Sequence, residues 1–260
     1  MQFRMALSLT MYFFISLAFA QTECEFTQWK SYQNTDLLAH PSSSAYLFSS
    51  THMAIDADGA PNTYHPDDIG LDYLANAGYP NTSWWPSVLV QDRNNPQQAY
   101  RQTSGEFAGY FISKTSLFDS SKAETDPARY VDARHIPYLV FPGSFYKMQG
   151  TGLLGDLGYA INLSSGEKTS FVVADVGPFN AKLGEVSIAL AEGLGGHEVN
   201  PRNGAGAPRG EMLYIVFPYS YRTYSWPLSV EEMDRHANTL LEAAGGTGAI
   251  LACKSSLNNG

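Results

Sequence analysis

The sequence predicts a mainly β domain with few, short helices, and three observations carry that prediction. Short apolar runs rich in β-branched and aromatic residues recur at close spacing, for example Pro137–Phe141, Phe171–Ala174 and Met212–Phe217. Clusters of Gly, Pro, Asn and Ser separate them. Only one stretch, Leu228–Ala244, carries apolar residues at helical spacing over several turns. With no internal repeat or heptad, this pattern predicts a closed barrel or a sandwich.

The elements follow in chain order. Residues 1–20 read as a secretory leader: Arg4 gives a positive start, ALSLTMYFFISLAFA an apolar core, and Ala18-Phe19-Ala20 a cleavage site. The apolar run is short for a membrane span and no basic stop signal follows it. The chain from 21 to 260, about 240 residues, suits a single domain. Its core is expected at 105–220, with a helix and tail at 228–260. In an oxidising compartment, Cys24 and Cys253, near the two ends, are expected to pair. The stretch from Gln21 to Ala39 shows no clear period and reads as a loop-rich extension.

A strand is expected at Thr51–Ala57, followed by a turn at Asp56-Ala57-Asp58-Gly59-Ala60-Pro61-Asn62. Its D-x-D-G pattern lacks the further oxygen ligands and closing Glu of a calcium loop, which leaves an Asx-turn or a carboxylate lining a cleft. Residues Tyr64–Pro80 read as loop with one helical turn at Leu71–Ala77. Strands are expected at Ser87–Gln91, Phe107–Ser113, Arg129–Ala133, Pro137–Phe141 and Leu157–Leu163. A Ser164–Lys168 hairpin turn then leads into the strand Ser170–Val176. A short helix is expected at Ser187–Leu194, a Gly/Pro/Asn loop at Gly195–Pro208, and a buried strand at Met212–Phe217. Ser229 with Glu231-Glu232 opens the long helix, and the tail after Gly245 reads as loose apart from Cys253.

Charge and motif content narrow the function. A formal charge of −9 and a pI near 5.0 disfavour nucleic acid and anionic membranes as partners. The six histidines show no paired metal spacing, and neither a G-x-S-x-G elbow nor a P-loop is present, so no metal or organic cofactor is expected. Asn81-Thr82-Ser83 and Asn162-Leu163-Ser164 are glycosylation sequons. The stretch that remains is Ser170–Gly195, where Asp175 ends an apolar strand, Gly177-Pro178 turns the chain and Glu185 leads into a helix.

Two acids straddling a turn can form the acid and base of glycoside hydrolysis. Burial at a strand end would keep Asp175 protonated as the acid, while Glu185, beside Lys182, would stay ionised as the base. Asp175 could equally be a turn-former and Glu185 a charge favoured by the helix dipole. Spacing alone leaves both readings open.

The stretch FVVADVGPFNAKLGEVSIALAEGLGG resembles the signature of double-psi β-barrels, a D-x-G-P strand end followed by a D-L-S-like turn and a short helix. Asp175-Val176-Gly177-Pro178 matches the first part and Glu185-Val186-Ser187 the second, with Glu in place of the usual Asp. The order of Tyr130–Ala133, Ile136–Gly143, Gly155–Asn162, Ala174–Ser187, Asn200–Gly204 and Tyr214–Pro218 is similar to the chitosanases of glycoside hydrolase family 75. The segment before Tyr130 departs from that family, being longer and richer in loops.

The resemblance implies a six-stranded double-psi β-barrel and a secreted, monomeric enzyme. It would cleave the β-1,4 linkages of chitosan with inversion, using Asp175 and Glu185. Asp132, Asp56 and Asp58 become candidates for holding the ammonium groups of that cationic polymer, with a buried hydrogen-bonding role the equal alternative for Asp132. A peptidoglycan glycan-strand cleaver and a non-catalytic, expansin-like polysaccharide-binding barrel are the alternatives.

Overall fold

The computed structural model describes residues 23–257, so the leader lies outside the described residues. Nine strands, β1 (Thr27–Tyr32), β2 (Thr35–Ala39), β3 (Tyr46–Ser50), β4 (Ala54–Asp56), β5 (Tyr138–Pro142), β6 (Leu157–Asn162), β7 (Lys168–Gly177), β8 (Glu185–Ser187) and β9 (Met212–Phe217), form one mixed sheet. Its order is β1-β2-β3-β9-β6-β7-β5-β8-β4. The β5/β7 and β4/β8 pairs are parallel; the other pairings are antiparallel.

The chain is mainly β with a few short helices, as its patterning predicts. The strand arrangement differs from six strands closed into a barrel. The stretch read as an extension forms β1 and β2, which extend the sheet beyond β3, and no ladder joins the β1 and β4 edges. The sheet is nevertheless strongly curled. Only Thr51–Met53 separates β3 from β4, yet the two strands lie at the third and last positions of the order. A link from Ser50 to Ala54 reaches at most about 14 Å, so the β8–β4 edge must return beside β3. A bond across the gap agrees: Ser50 Oγ donates to the Leu183 carbonyl at 3.1 Å.

Alternation along the strands divides the core in two. Leu213, Ile215 and Phe217 of β9, with Leu157 of β6 and Val172 of β7, face a cluster that includes Met233, Ala237 and Leu241 of helix α3. Met212, Tyr214 and Val216 face Phe48, Phe171, Phe141 and Phe145 on the opposite side. Both faces are covered, so β9 reads as a continuous apolar run.

The helices are α1 (Gly143–Tyr146), α2 (Ile188–Gly193), α3 (Val230–Ala243), α4 (Gly246–Ala252) and α5 (Lys254–Leu257). Ser229 and Glu232 form a reciprocal capping box at the start of α3, and Ser170 Oγ ties that helix to β7 through Asp234. The tail expected to be loose is helical instead, because Ala249 and Ile250 find cover and Cys253 is fixed to Cys24.

The expected strands at Ser87–Gln91, Phe107–Ser113 and Arg129–Ala133 do not form. Only single bridges appear, Leu89 with Ser113, Gln91 with Ala99, Arg101 with Phe111 and Phe118 with Tyr130. Their apolar side chains build a satellite core of Tyr64, Ala77, Trp85, Leu89, Ala99 and Phe111 rather than a ladder. The structure separates the two sequons. Asn81 is exposed, whereas Asn162 is buried and donates through Nδ2 to the Leu194 carbonyl at 3.0 Å. Among the described residues no helix is long and apolar enough to cross a membrane.

Candidate active site

Asp175 ends the buried part of β7 at a break in its pairing with β5. Leu139 opposes Val173, but Val140 opposes Asp175, so Ala174 is the extra residue of a bulge. Bulges bend a strand and re-aim its side chains. The carbonyl of Ala174 accepts from Leu117 N at 2.8 Å, which draws the 113–118 loop over the strand end. Ser116 then reaches Asp175 Oδ1 through its backbone N at 2.9 Å and its Oγ at 2.5 Å, and Val176 N donates to the same oxygen at 2.8 Å.

Glu185 opens β8 and pairs with Ala54, while Ser187 pairs with Asp56. Ser187 also caps α2, accepting from Leu190 N at 3.1 Å, and its Oγ donates to the Ile136 carbonyl at 3.0 Å. The Glu185 carboxyl lies over Gly177, where a Cβ would come within 2.9 Å of Oε2. The glycine of D-x-G-P therefore leaves room for the second acid beside the strand that carries the first.

The D-x-D-G turn completes the group. Asp58 N donates to Asp56 Oδ1 at 2.8 Å, and Ser113 Oγ donates to Asp58 Oδ1 at 2.7 Å. The Tyr138 hydroxyl holds the Asp58 carbonyl at 3.0 Å. Gly59 has φ 79° and packs so closely on the Val131 carbonyl that a Cβ would lie 2.1 Å from its oxygen. No other residue type fits there. One carboxylate oxygen each of Asp56, Asp58 and Asp175 lies within 4.8 Å of the others. Oxygens so placed either share protons or surround a hard cation.

Burial dominates the electrostatics. It pushes Asp56 and Asp58 well above the usual carboxylate range, and neighbouring carboxylates add to the effect. Asp175 is also raised by burial, against the pull of the Ser116 and Val176 donors toward the ionised form. Glu185 rises to about 7 through burial and then the charges of Asp175 and Asp72, and among the described residues no hydrogen-bond donor reaches its carboxyl to oppose them. The expectation that Glu185 stays ionised is therefore corrected: sequence position beside Lys182 mattered less than enclosure among acids.

The structure brings Asp56, Asp58, Asp175 and Glu185 together. Asp132 is placed differently: its Oδ1 accepts from Arg134 N at 2.9 Å and its Oδ2 pairs with His135 Nδ1 at 2.8 Å, and it is not among the charges acting on the four acids.

Sequence reasoning did not identify Ser113 and Ser116 as donors, nor Asp72, which is buried and clamped by Tyr73 N and Asn76 Nδ2 at 2.7 and 3.0 Å. All three sit in loops, where no periodicity marks direction. No protein-family model matches the chain, and no curated protein matches it either.

Proposed function

We propose that the protein is a secreted, monomeric glycoside hydrolase that cuts the β-1,4 linkages of chitosan internally, with inversion. The observation that carries this reading is the contrast between two enclosed carboxyls. Glu185, at about 7, can hold a proton near neutrality. Asp175 is also raised by burial, but it accepts three hydrogen bonds that favour its anion, where Glu185 has none among the described residues. Acid and base chemistry run on such a division.

The roles are the reverse of those the strand-end argument suggests. Glu185 gives its proton to the glycosidic oxygen as the bond to the anomeric carbon breaks. Asp175 takes a proton from the water that attacks that carbon from the opposite face. The ammonium groups of glucosamine units suit Asp56 and Asp58, because a cation placed against them favours their ionised forms and offsets their mutual repulsion.

With β1 and β2 set aside as an extension and β3 and β4 taken as one bent strand, six strands remain in the curled sheet, which supports a double-psi barrel reading. The Cys24–Cys253 disulfide and the absence of a membrane-crossing helix among the described residues are compatible with an extracellular protein.

Reducing-end release from chitosan, chitin and peptidoglycan, measured side by side, tests the assignment. Chitosan is expected to be the polymer cut, with the α-anomer formed first in proton NMR. Asp175→Asn and Glu185→Gln are each expected to lower the rate by about 10³-fold or more. Activity should fall as the pH rises through about 7, where Glu185 loses its proton. Retention of activity in both variants would end the glycosidase reading, and cleavage of peptidoglycan alone would replace the substrate.

A further inference from the structure

Two features near the acids have no part in the proton chemistry. One is Arg202, from the Asn200–Gly204 stretch of the loop after α2. Its guanidinium reaches across the fold to backbone carbonyls: Nε and one terminal nitrogen donate to Gly70 at 3.2 and 2.7 Å. The same nitrogen donates to Asp68 at 2.7 Å and lies 3.8 Å from the Asp68 carboxylate. Held through Nε and one terminal nitrogen, Arg202 is a fixed support.

The other is the Tyr73 ring, which lies 4.6 Å from that guanidinium and is 43% exposed. A large aromatic side chain left so open, yet held by a cation on one side, is pre-oriented at little cost in side-chain entropy. Tyr73 is also fixed relative to the site. Its backbone N donates to the Asp72 carboxylate, Asp72 N donates to the Thr63 carbonyl at 3.0 Å, and Thr63 Oγ1 donates at 2.5 Å to the carbonyl of Ala57, between Asp56 and Asp58. Asp68 offsets the charge of Arg202, so the support does not repel a cationic ligand.

We propose that Tyr73, held on Arg202, is a sugar-stacking platform at the Asp72 side of the acid cluster, where it binds the apolar face of a pyranose ring of the polysaccharide. The inference rests on the glycosidase reading and adds to it a binding subsite and a residue that positions it. Flat pyranose faces suit aromatic rings because the axial C–H groups meet the electron-rich face. Arg202 acts through Tyr73 as a positioning residue.

Calorimetric titration of the glucosamine hexamer into the Glu185→Gln protein provides the test, since that background binds without cutting. Adding Tyr73→Ala or Tyr73→Leu is expected to weaken binding about tenfold, the Leu variant because it keeps apolar bulk without a flat face. Tyr73→Phe is expected to bind within about twofold of the parent, since the ring and not the hydroxyl is at work. Equal affinity in the Ala and parent proteins would overturn the platform, as would a Phe variant as weak as Ala. Failure of both Ala and Leu variants to fold would also overturn it, because the ring would then be structural. If the wild type cuts chitosan while Tyr73→Ala leaves affinity unchanged, the platform alone falls. If the wild type cuts no chitosan and the Glu185→Gln protein binds no hexamer, the glycosidase reading falls with it.

Discussion

Strands β5, β6, β7 and β9 and the long segment between β4 and β5 are built on opposite lines. β5, β6 and β9 are buried along their whole length, and β7 over residues 170–174. The segment from 57 to 137 has single bridges, short turns and a satellite core of its own. The sheet places Asp56 and Glu185 at strand ends and Asp175 beside the bulge of β7. The loops supply Asp58, Asp72 and the serine donors that set how each acid holds its proton. Rigid ladders fix position while loop groups fix protonation, and the two can be perturbed separately.

The largest expected effect lies on the sheet side. Cys24 and Cys253 are separated by 229 residues, and Cys253 is fully buried. Replacing both with Ser releases the β1 end and α4 from each other and is expected to cost up to about 5 kcal/mol of stability on the chain-entropy account. Urea unfolding with and without the bridge measures it. An unchanged midpoint would mean that the sheet, not the clamp, holds the ends.

A smaller effect is expected from Glu185→Gln, read as stability against pH. The unfolded chain ionises near 4.5 while the folded protein keeps the proton to about 7. Below both values the two states bind equally. As pH rises between them the stabilisation from the held proton is lost, and above about 7 the folded state carries a buried anion. The Gln variant should therefore exceed the wild type at pH 8 by at most roughly 3 kcal/mol, with the gap closing toward pH 4. Thermal midpoints across that range check the sign; a constant gap would refute it.

The smallest change tests the loops. Ser116→Ala removes the hydroxyl that donates to Asp175 while keeping the backbone donor. Loss of a bond to the anion raises the Asp175 pKa, so the acid limb of kcat/KM should move up by about one pH unit. A limb that stays in place would show that Asp175 is not the base.

How much of this was legible in the sequence follows from where each residue sits. The strand at Met212–Phe217 is found with those bounds because an apolar run between turn residues has little other use. The capping box at Ser229 was equally readable as a local pattern, whereas the spacing of Asp175 and Glu185 across a turn nominated the two acids without separating a catalytic from a structural role. Asp56 and Asp58 could be nominated from D-x-D-G, but their approach to Asp175 depends on β4 pairing with β8, which no local pattern encodes. The strands read at Ser87–Gln91 and Phe107–Ser113 failed because apolar clustering there serves side-chain packing, and periodicity cannot tell that from a ladder. Residues 27–39 mislead in the other direction: β1 is mostly exposed, so it lacks the alternation that would have announced it.

The three-residue link between β3 and β4 has a kinetic side. The pairing of Ala54 with Glu185 joins positions about 130 residues apart, whereas β6 and β7 meet across a short hairpin. Contacts so distant in sequence carry a loop-closure cost that is offset only once the intervening strands are in place. The acid cluster is thus assembled by the most non-local part of the topology. Recovery of the proposed hydrolase activity during refolding should trail recovery of β-sheet signal, so that this activity would serve as a clock for the final step of folding.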